Sequence, residues 1–269
     1  MREAHNANGL SYWEYVLLYV DDALVISDNA QHILEEDIGK YFTMKPVSIG
    51  PPTIYLGGHM RRVTLDNVLK VWDFSSSQYV QDAVKSVEEH LARTSIKLPS
   101  KALTPIQTSY RPEIDPTVEL NATESAYYQS IIGILRWMVK LGRVDICLEV
   151  SMLSYHLALP REGHLQQLFH MFAYLKWNHN SEMVFDPSDP VVDEYLFGWK
   201  DWTASEFGLS VEEAFLANMP QPRGMGFVMR EFVDSDHAGD SITRRSRNRF
   251  LVYLNSAPVY WLSKKKNQC

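Results

Sequence analysis

Residues 17–27 read Leu-Leu-Tyr-Val-Asp-Asp-Ala-Leu-Val-Ile-Ser. Apolar residues that favour β-strands stand on both sides of Asp21 and Asp22, which predicts two strands joined by a turn at the two aspartates. Carboxylates held side by side repel, and each raises the pKa of the other unless a cation lies between them. A turn that simply contains two aspartates is the alternative, because Asp favours turns. The residues of the turn alone do not decide between a cation site and an ordinary turn.

The composition is that of a folded soluble protein. With 269 residues, of which 45% are hydrophobic and 22% charged, the chain is long enough for one large domain or two smaller ones. No apolar run reaches the length of a bilayer span, and the first residues lack the apolar core of a secretory signal, so we expect an intracellular chain. Two cysteines, Cys147 and Cys269, exclude a disulfide framework and a cysteine-rich zinc site.

The charge is unevenly distributed along the chain. A formal net charge of −7 argues against a protein that binds nucleic acid over its whole surface. Residues 231–269, however, contain seven basic and four acidic side chains, which gives this tail a charge of +3. The tail is either a basic patch or a solvated surface, and the sequence leaves both open.

The spacing of apolar residues predicts an α+β chain. The expected elements before residue 100 are a helix over 29–41, a short strand over 54–60, a hairpin over 61–74 and a helix over 75–94. Three helices follow between Asn121 and His179, and the first begins with a capping box formed by Asn121 and Glu124. The apolar stripes of these three helices predict that they pack together.

The last third of the chain changes in character. Residues 186–226 are acidic and contain four prolines, which predicts a linker with some helix near 211–217. Strands are then predicted over 227–233, 249–254 and 259–262.

Four histidines in the helical region raise the question of a zinc site: His156, His164, His170 and His179. They lack a cysteine pair and the spacing by which one helix offers two ligands. We therefore expect packing or surface roles for them.

Further motifs occur in a fixed order along nearly the whole chain. They are Tyr55-Leu56-Gly57-Gly58, Ser77-Gln78-Tyr79-Val80, Tyr128-x-Ser130-x-Ile132-Gly133-x-Leu135, Arg143-x-Asp145-Ile146, His164 with Ala173-Tyr174-Leu175-Lys176, Val233-Asp234-Ser235-Asp236-His237-Ala238-Gly239-Asp240, and Tyr260-Trp261-Leu262-Ser263-Lys264-Lys265. Together with residues 17–27, these motifs resemble the reverse transcriptase and RNase H region of copia-type LTR retrotransposon Pol polyproteins.

The resemblance implies a partial architecture and a partner. The implied segments are a partial reverse-transcriptase palm over 1–62, a thumb-like segment over 63–120, connection helices over 121–180, an acidic linker over 181–226 and the first strands of an RNase H-like sheet over 227–269. The implied activity is RNA-directed DNA polymerase with RNase H. It would act on an RNA template with a DNA primer, or on an RNA–DNA hybrid, in a cytoplasmic particle and without a membrane.

The same motifs imply the residues of a polymerase site. Asp21 and Asp22 would hold Mg²⁺ ions, with Asp21 bridging them, because two metals stabilise the attacking and leaving oxygens of phosphoryl transfer. Tyr19 and Val20 would lie under the primer terminus and the incoming nucleotide.

Other implied roles lie further along the chain. Gly57 and Gly58 would let the backbone approach the primer strand. Asp234 would be the first of four carboxylates that bind the RNase H metals. Asp236 and Asp240 match the motif but are expected to be turn or cap residues.

Departures from the family pattern predict a truncated fragment that is catalytically incomplete. Only eighteen residues precede Tyr19, and they contain no match to the upstream palm carboxylate. The later RNase H carboxylates are also missing. Arg249 stands where the family has glycine, so it would be strained if that position needs a positive φ.

A second hypothesis belongs to another class of protein. The chain could be a non-catalytic relic or a captured module that binds nucleic acid without metal through the basic residues of 244–249. Metal binding at Asp21 and Asp22 would favour the enzyme fragment instead.

Overall fold

The computed structural model describes residues 1–45, 49–93, 95–191 and 226–266. The predicted helix near 211–217, most of the acidic linker and Cys269 lie outside these residues. The chain divides into two compact units, which are described separately below. The N-terminal unit comprises Met1–Gly50 with Ser188–Val228, and the main unit comprises Pro51–Pro187 with Met229–Cys269. The resemblance implied five segments, and their boundaries do not coincide with those of the two units. The five segments remain a prediction.

A three-stranded antiparallel sheet forms the described part of the N-terminal unit. Its strands are β1 (Arg2–His5), β2 (Ser11–Tyr19) and β3 (Asp22–Ile26), with β2 in the centre. The first half of β2 pairs with β1 and the second half with β3. A short helix follows, α1 (Ala30–His32), and it continues as a π-helical turn over Ile33–Ile38. Ile33 is buried, which agrees with the apolar face predicted for this helix.

The main unit begins with a four-stranded antiparallel sheet. Its strands are β4 (Ile54–Tyr55), β5 (Gly58–Thr64), β6 (Lys70–Ser75) and β7 (Glu182–Val184), paired in that order. The single strand predicted over 54–60 is wrong, because a two-residue turn divides it. Leu56 and Gly57 both have positive φ, at 54° and 83°, as tight hairpins with the favoured twist require.

Gly58 is the point where the backbone of β5 passes under an aromatic ring. A Cβ atom at this position would lie within 2.6 Å of three carbon atoms of the Phe74 ring. Only glycine therefore lets the ring pack down onto this strand.

Four helices build the core of the main unit: α2 (Ser77–Ala92), α3 (Ala122–Lys140), α4 (Cys147–Leu153) and α5 (Glu162–Trp177). The predicted capping box is confirmed, since Asn121 Oδ1 accepts from the Glu124 backbone N–H at 3.0 Å and Glu124 Oε2 accepts from that of Asn121 at 3.3 Å. The predicted packing of the three later helices is also confirmed, and α2 joins them. Residues from all four share one buried cluster, among them Val87, Tyr128, Leu135, Leu153 and Phe172.

A second antiparallel sheet closes the main unit. Its strands are β8 (Met229–Ser235), β9 (Arg247–Leu254) and β10 (Ala257–Lys265), with β9 in the centre. All three strands were predicted, each with slightly different bounds. Two hydrogen bonds join its last strand to the helical region. Ser151 Oγ donates to the Ser263 carbonyl at 2.7 Å, and the Trp261 indole of β10 donates to the Val139 carbonyl at 2.8 Å.

These elements confirm the α+β class, with five α-helices and three antiparallel sheets in the part of the chain that the structure describes. None of the helices among these residues has both the length and the apolar character that crossing a membrane requires.

We expect Gly58→Ala to lower the free energy of unfolding of the main unit by about 1–3 kcal/mol, because the added methyl group overlaps the Phe74 ring. Urea denaturation of the purified chain measures this change. Gly133→Ala is the matched control. Gly133 is exposed on α3, and nothing lies within 4 Å of an added Cβ, so that variant should be up to about 1 kcal/mol more stable. Equal stability of Gly58→Ala and the parent chain would contradict the close packing of Phe74.

Candidate functional site

The two aspartates stand at the tip of the β2–β3 hairpin. Tyr19 pairs with Asp22 across the two strands, so the turn consists of Val20 and Asp21. The predicted turn at Asp21 and Asp22 is thus wrong by one residue, and Asp22 is the first residue of β3.

The backbone at this tip is strained. Val20 has a φ of 54°, a left-handed conformation that glycine adopts easily and a β-branched residue does not. Such conformations cost on the order of 1–3 kcal/mol and cluster at functional sites. Packing does not compensate for the cost, because Val20 is 95% exposed.

Both aspartates are exposed and line one groove of about 650 Å³ in the N-terminal unit. The apolar side chains of Val16, Leu18 and Val20 line the same groove. The hairpin therefore presents two carboxylates next to a strip of apolar surface.

Other acids of this unit are already engaged. Arg2 donates to Glu14 at 2.8 Å and to Asp37 at 2.9 Å. The hydroxyl of Ser27, followed by Arg2, lowers the pKa of Glu14, which is buried. Neither carboxylate groups with Asp21 and Asp22, since the described residues contain no cluster of three or more His, Cys, Asp or Glu side chains that could hold a metal ion.

Two exposed carboxylates still fit one kind of magnesium site. Mg²⁺ commonly keeps several waters and binds through one or two carboxylates together with substrate phosphates. Asp21 and Asp22 would hold the ion in such a site, and its affinity without phosphates would be weak.

The two glycines with an implied nucleic-acid role already have structural reasons to be glycine. Gly57 provides the positive φ of the β4–β5 turn, and Gly58 accommodates the Phe74 ring. Their approach to a primer strand stays a prediction.

Asp234 lies near the end of β8, as predicted, directly opposite Arg249 of β9. Arg249 Nη1 donates to Asp234 Oδ2 at 2.6 Å. The condition for strain at Arg249 is not met, because Arg249 lies in a regular part of β9 and has no positive φ. Asp234 thus has a guanidinium partner and, among the described residues, no neighbouring acids that would complete a metal site. These residues do not fit the implied RNase H metals.

Asp236 and Asp240 act as the expected turn residues. Asp236 Oδ1 accepts from the backbone N–H of Gly239 at 3.2 Å and of Arg247 at 2.9 Å. Asp240 Oδ1 accepts from the backbone N–H of Ile242 at 3.1 Å and of Thr243 at 2.6 Å.

The four histidines have packing and surface contacts, as expected, and two of them, His156 and His164, pack against each other. His164 is 2% exposed, and its Nδ1 accepts from the Arg161 backbone N–H at 3.0 Å while Nε2 donates to the Pro112 carbonyl at 2.9 Å. The ring of His156 lies 4.1 Å from that of His164. His170 contacts the Thr104 carbonyl, and His179 contacts Ser77.

Comparison with curated proteins gives relatives of one kind. The chain is 25% identical over 94% of its length to a Retrovirus-related Pol polyprotein from transposon RE1 of Arabidopsis thaliana, and 25% identical over 93% to that from transposon TNT 1-94 of Nicotiana tabacum. It is also 26% identical over 93% of its length to a transposon Ty5-1 protein of Saccharomyces cerevisiae. No protein-family model and no solved structure matches the chain.

The chain covers 14% and 16% of the two plant polyproteins, and 66% of the yeast protein. The predicted resemblance to retrotransposon Pol polyproteins is confirmed, and the chain corresponds to a small part of them.

We expect Val20→Asn to stabilise the β2–β3 hairpin by about 1 kcal/mol, because asparagine tolerates the left-handed conformation at the tip. Amide hydrogen exchange of β2 and β3 should slow by about fivefold. Val16→Asn is the control, since Val16 lies in a regular part of β2, and exchange should accelerate in that variant. Faster exchange in Val20→Asn would contradict the strained tip.

Burial, and then the neighbouring His164, lowers the pKa of His156 to about 4. The unfolded chain protonates this histidine near pH 6.5, so the folded state should lose on the order of 2 kcal/mol as the pH falls from 6.5 to 4. Denaturation at several pH values measures this loss. His156→Gln should reduce the loss, whereas His59→Gln, at an exposed position of β5, should leave it unchanged. An unchanged pH dependence in His156→Gln would contradict the assignment.

Proposed function

We propose that this chain is a reverse transcriptase–RNase H segment of a retrotransposon Pol polyprotein, with Asp21 and Asp22 as the acidic pair of its RNA-directed DNA polymerase site. The similarity to Pol polyproteins extends over almost the whole chain, although it does not assign the region to a particular enzyme. The observation that carries the finer assignment is the hairpin, which exposes two adjacent carboxylates at a strained tip.

In this proposal the hairpin positions charge for phosphoryl transfer. Pairing of Tyr19 with Asp22 and the left-handed backbone of Val20 fix the path of the chain at Asp21. The backbone that carries both carboxylates is then fixed in advance, and positioning of reacting groups supplies much of the catalysis in this reaction. Mg²⁺ bound to them would neutralise charge that develops on the phosphate oxygens.

Val16, Leu18 and Val20 give the proposed site an apolar wall. The primer end or the incoming nucleotide would lie along this groove, with the carboxylates at one end. A template of RNA and a primer of DNA are the partners of the proposed reaction.

The number of ligands sets the expected strength of metal binding. With two carboxylates and no third acid grouped with them among the described residues, each ion would keep most of its waters. We therefore propose weak metal binding and no polymerase activity for this chain in isolation.

The second candidate function, nucleic-acid binding without metal, rests on a different observation. Arg249 pairs with Asp234 at 2.6 Å, so a fixed positive charge lies where the resemblance implied a divalent ion. This pairing favours a binding role over hydrolysis for the sheet formed by β8, β9 and β10.

Titration with Mn²⁺, followed by paramagnetic broadening of amide signals, tests the polymerase proposal. We expect broadening centred on Asp21 and Asp22, with a Kd on the order of 1 mM. Asp21→Asn should weaken binding by about tenfold, since one of two carboxylates is lost. Asp28→Asn, which alters an exposed aspartate of the same unit, should not.

Two outcomes would contradict the proposal in different ways. If Asp21→Asn and the parent chain bound Mn²⁺ equally, Asp21 would not be a metal ligand, and the acidic pair would not form the proposed site. Primer extension on an RNA template by the parent chain, abolished in Asp21→Asn, would show that other residues complete the site.

A further inference from the structure

A cavity of about 580 Å³ lies in the main unit, between the connection before α3, the turn after α4 and the sheet formed by β8, β9 and β10. This size is in the range of pockets that take small molecules or parts of larger ones. Five basic side chains line it: Arg111, Arg245, Arg247, Arg249 and Lys265. Three acidic side chains also line it: Glu113, Asp236 and Asp240.

Arg247 is the most deeply placed of the cations, with only 8% of the residue exposed. Its Nη1 donates to Ser151 Oγ at 2.6 Å, and its guanidinium lies 5.3 Å from the centre of the Tyr155 ring. Among the described residues, no carboxylate forms an ion pair with it. Burial lowers the pKa of Arg247, because the charge is partly removed from water. An anion in the cavity would offset this cost.

The acids of the cavity are occupied by other groups. Asp240 forms an ion pair with Lys265, and although burial opposes the shift, this hydrogen bond and those from Thr243 lower the pKa of Asp240 to about 2. Glu113 Oε1 accepts from the Ser241 backbone N–H at 3.3 Å. Asp236 accepts hydrogen bonds from the backbone N–H groups of Gly239 and Arg247.

The remaining cations surround the opening. Arg111 and Arg245 are exposed, and neither guanidinium forms a hydrogen bond or ion pair with the residues that the structure describes. Lys265 and Arg249 are already paired with Asp240 and Asp234. Arg111, Arg245 and Arg247 therefore line one cavity without a carboxylate partner among the described residues.

We infer that this cavity binds a backbone phosphate of a nucleic-acid strand, without metal, through Arg111, Arg245 and Arg247. Arginine suits the task because its planar group donates two hydrogen bonds to a phosphate at once. The choice of nucleic acid as the source of the phosphate rests on the proposed function, whereas the three arginines on the cavity lining favour a phosphate.

The charge of the whole chain agrees with a local site of this kind. A net charge of −7 disfavours non-specific binding of polyanions over the surface, so the attraction would be confined to this opening. Tyr155 also lines the cavity, and the cations of Arg247 and Lys265 each lie 5.3 Å from the centre of its ring.

Fluorescence anisotropy with a labelled single-stranded oligonucleotide of about 12 nucleotides tests the inference on the full chain, in buffer with EDTA. We expect binding by the parent chain. The double variant Arg111→Gln with Arg245→Gln should bind about tenfold or more weakly. The slope of log K against log salt should fall by about 1.4, since each lost contact on a single strand contributes about 0.7.

The control variant removes the same charge elsewhere in the main unit. Lys85→Gln with Lys97→Gln changes two exposed lysines outside the cavity and should alter affinity by less than about twofold. Circular dichroism establishes that both double variants fold. If both double variants lost the same affinity for the oligonucleotide, the effect would come from net charge alone, and the inference would be overturned.

A measurement with inorganic phosphate distinguishes free phosphate from a nucleic-acid strand as the ligand of the cavity. If phosphate raises the Tm of the parent chain but the oligonucleotide does not bind, the nucleic-acid partner is overturned. Asp28→Asn, which alters an exposed aspartate outside this cavity, should bind the oligonucleotide like the parent chain, and neither Asp21 nor Asp22 lines the cavity. A failed Mn²⁺ titration with intact oligonucleotide binding would therefore count against the polymerase proposal alone.

Discussion

Arg143 is completely buried between α3 and α4, and the arrangement of the main unit depends on the ion pair that holds its guanidinium, of which Nη1 has no hydrogen-bond partner among the described residues. It donates to both oxygens of Asp145, from Nε at 2.9 Å and from Nη2 at 2.6 Å, and Tyr174 of α5 donates to the same carboxylate at 3.1 Å. Only the arginine of this pair is buried, because Asp145 is exposed, and removing Asp145 would leave the buried guanidinium charge without its partner. This contact fixes the turn from which α4 starts. Since Ser151 of α4 binds both β10 and Arg247, the geometry of the turn is transmitted to the C-terminal sheet and to the basic cavity.

The sequence predicted most elements because apolar periodicity and capping act locally. The stripes of α2 and α3 and the capping box at Asn121 required no knowledge of distant residues. The errors occurred where a residue adopts a conformation that its type disfavours. Val20 and Leu56 both have positive φ, so the first hairpin turn was placed one residue late and the β4–β5 turn was missed.

The two candidate sites also differ in how far the sequence alone could reveal them. The paired aspartates are adjacent in sequence and form a pattern that can be recognised without a structure. The basic cavity combines Arg111, from an irregular proline-rich connection, with Arg247 on a strand that folding brings beside it. No local pattern links these two arginines. The pairing of Asp234 with Arg249 is likewise a matter of strand register, and only the register showed that Arg249 is a partner of the carboxylate and not a strained residue.

The packing of Phe74 against Gly58 also has a spectroscopic consequence. The direction in which a Cβ would extend from Gly58 runs into the face of the aromatic ring, so one of its α-protons lies in the shielding region of that ring. This proton should resonate far upfield of an ordinary glycine α-proton. Its signal would report on the integrity of the β5–β6 pair without any label, at a position remote from both the paired aspartates and the basic cavity.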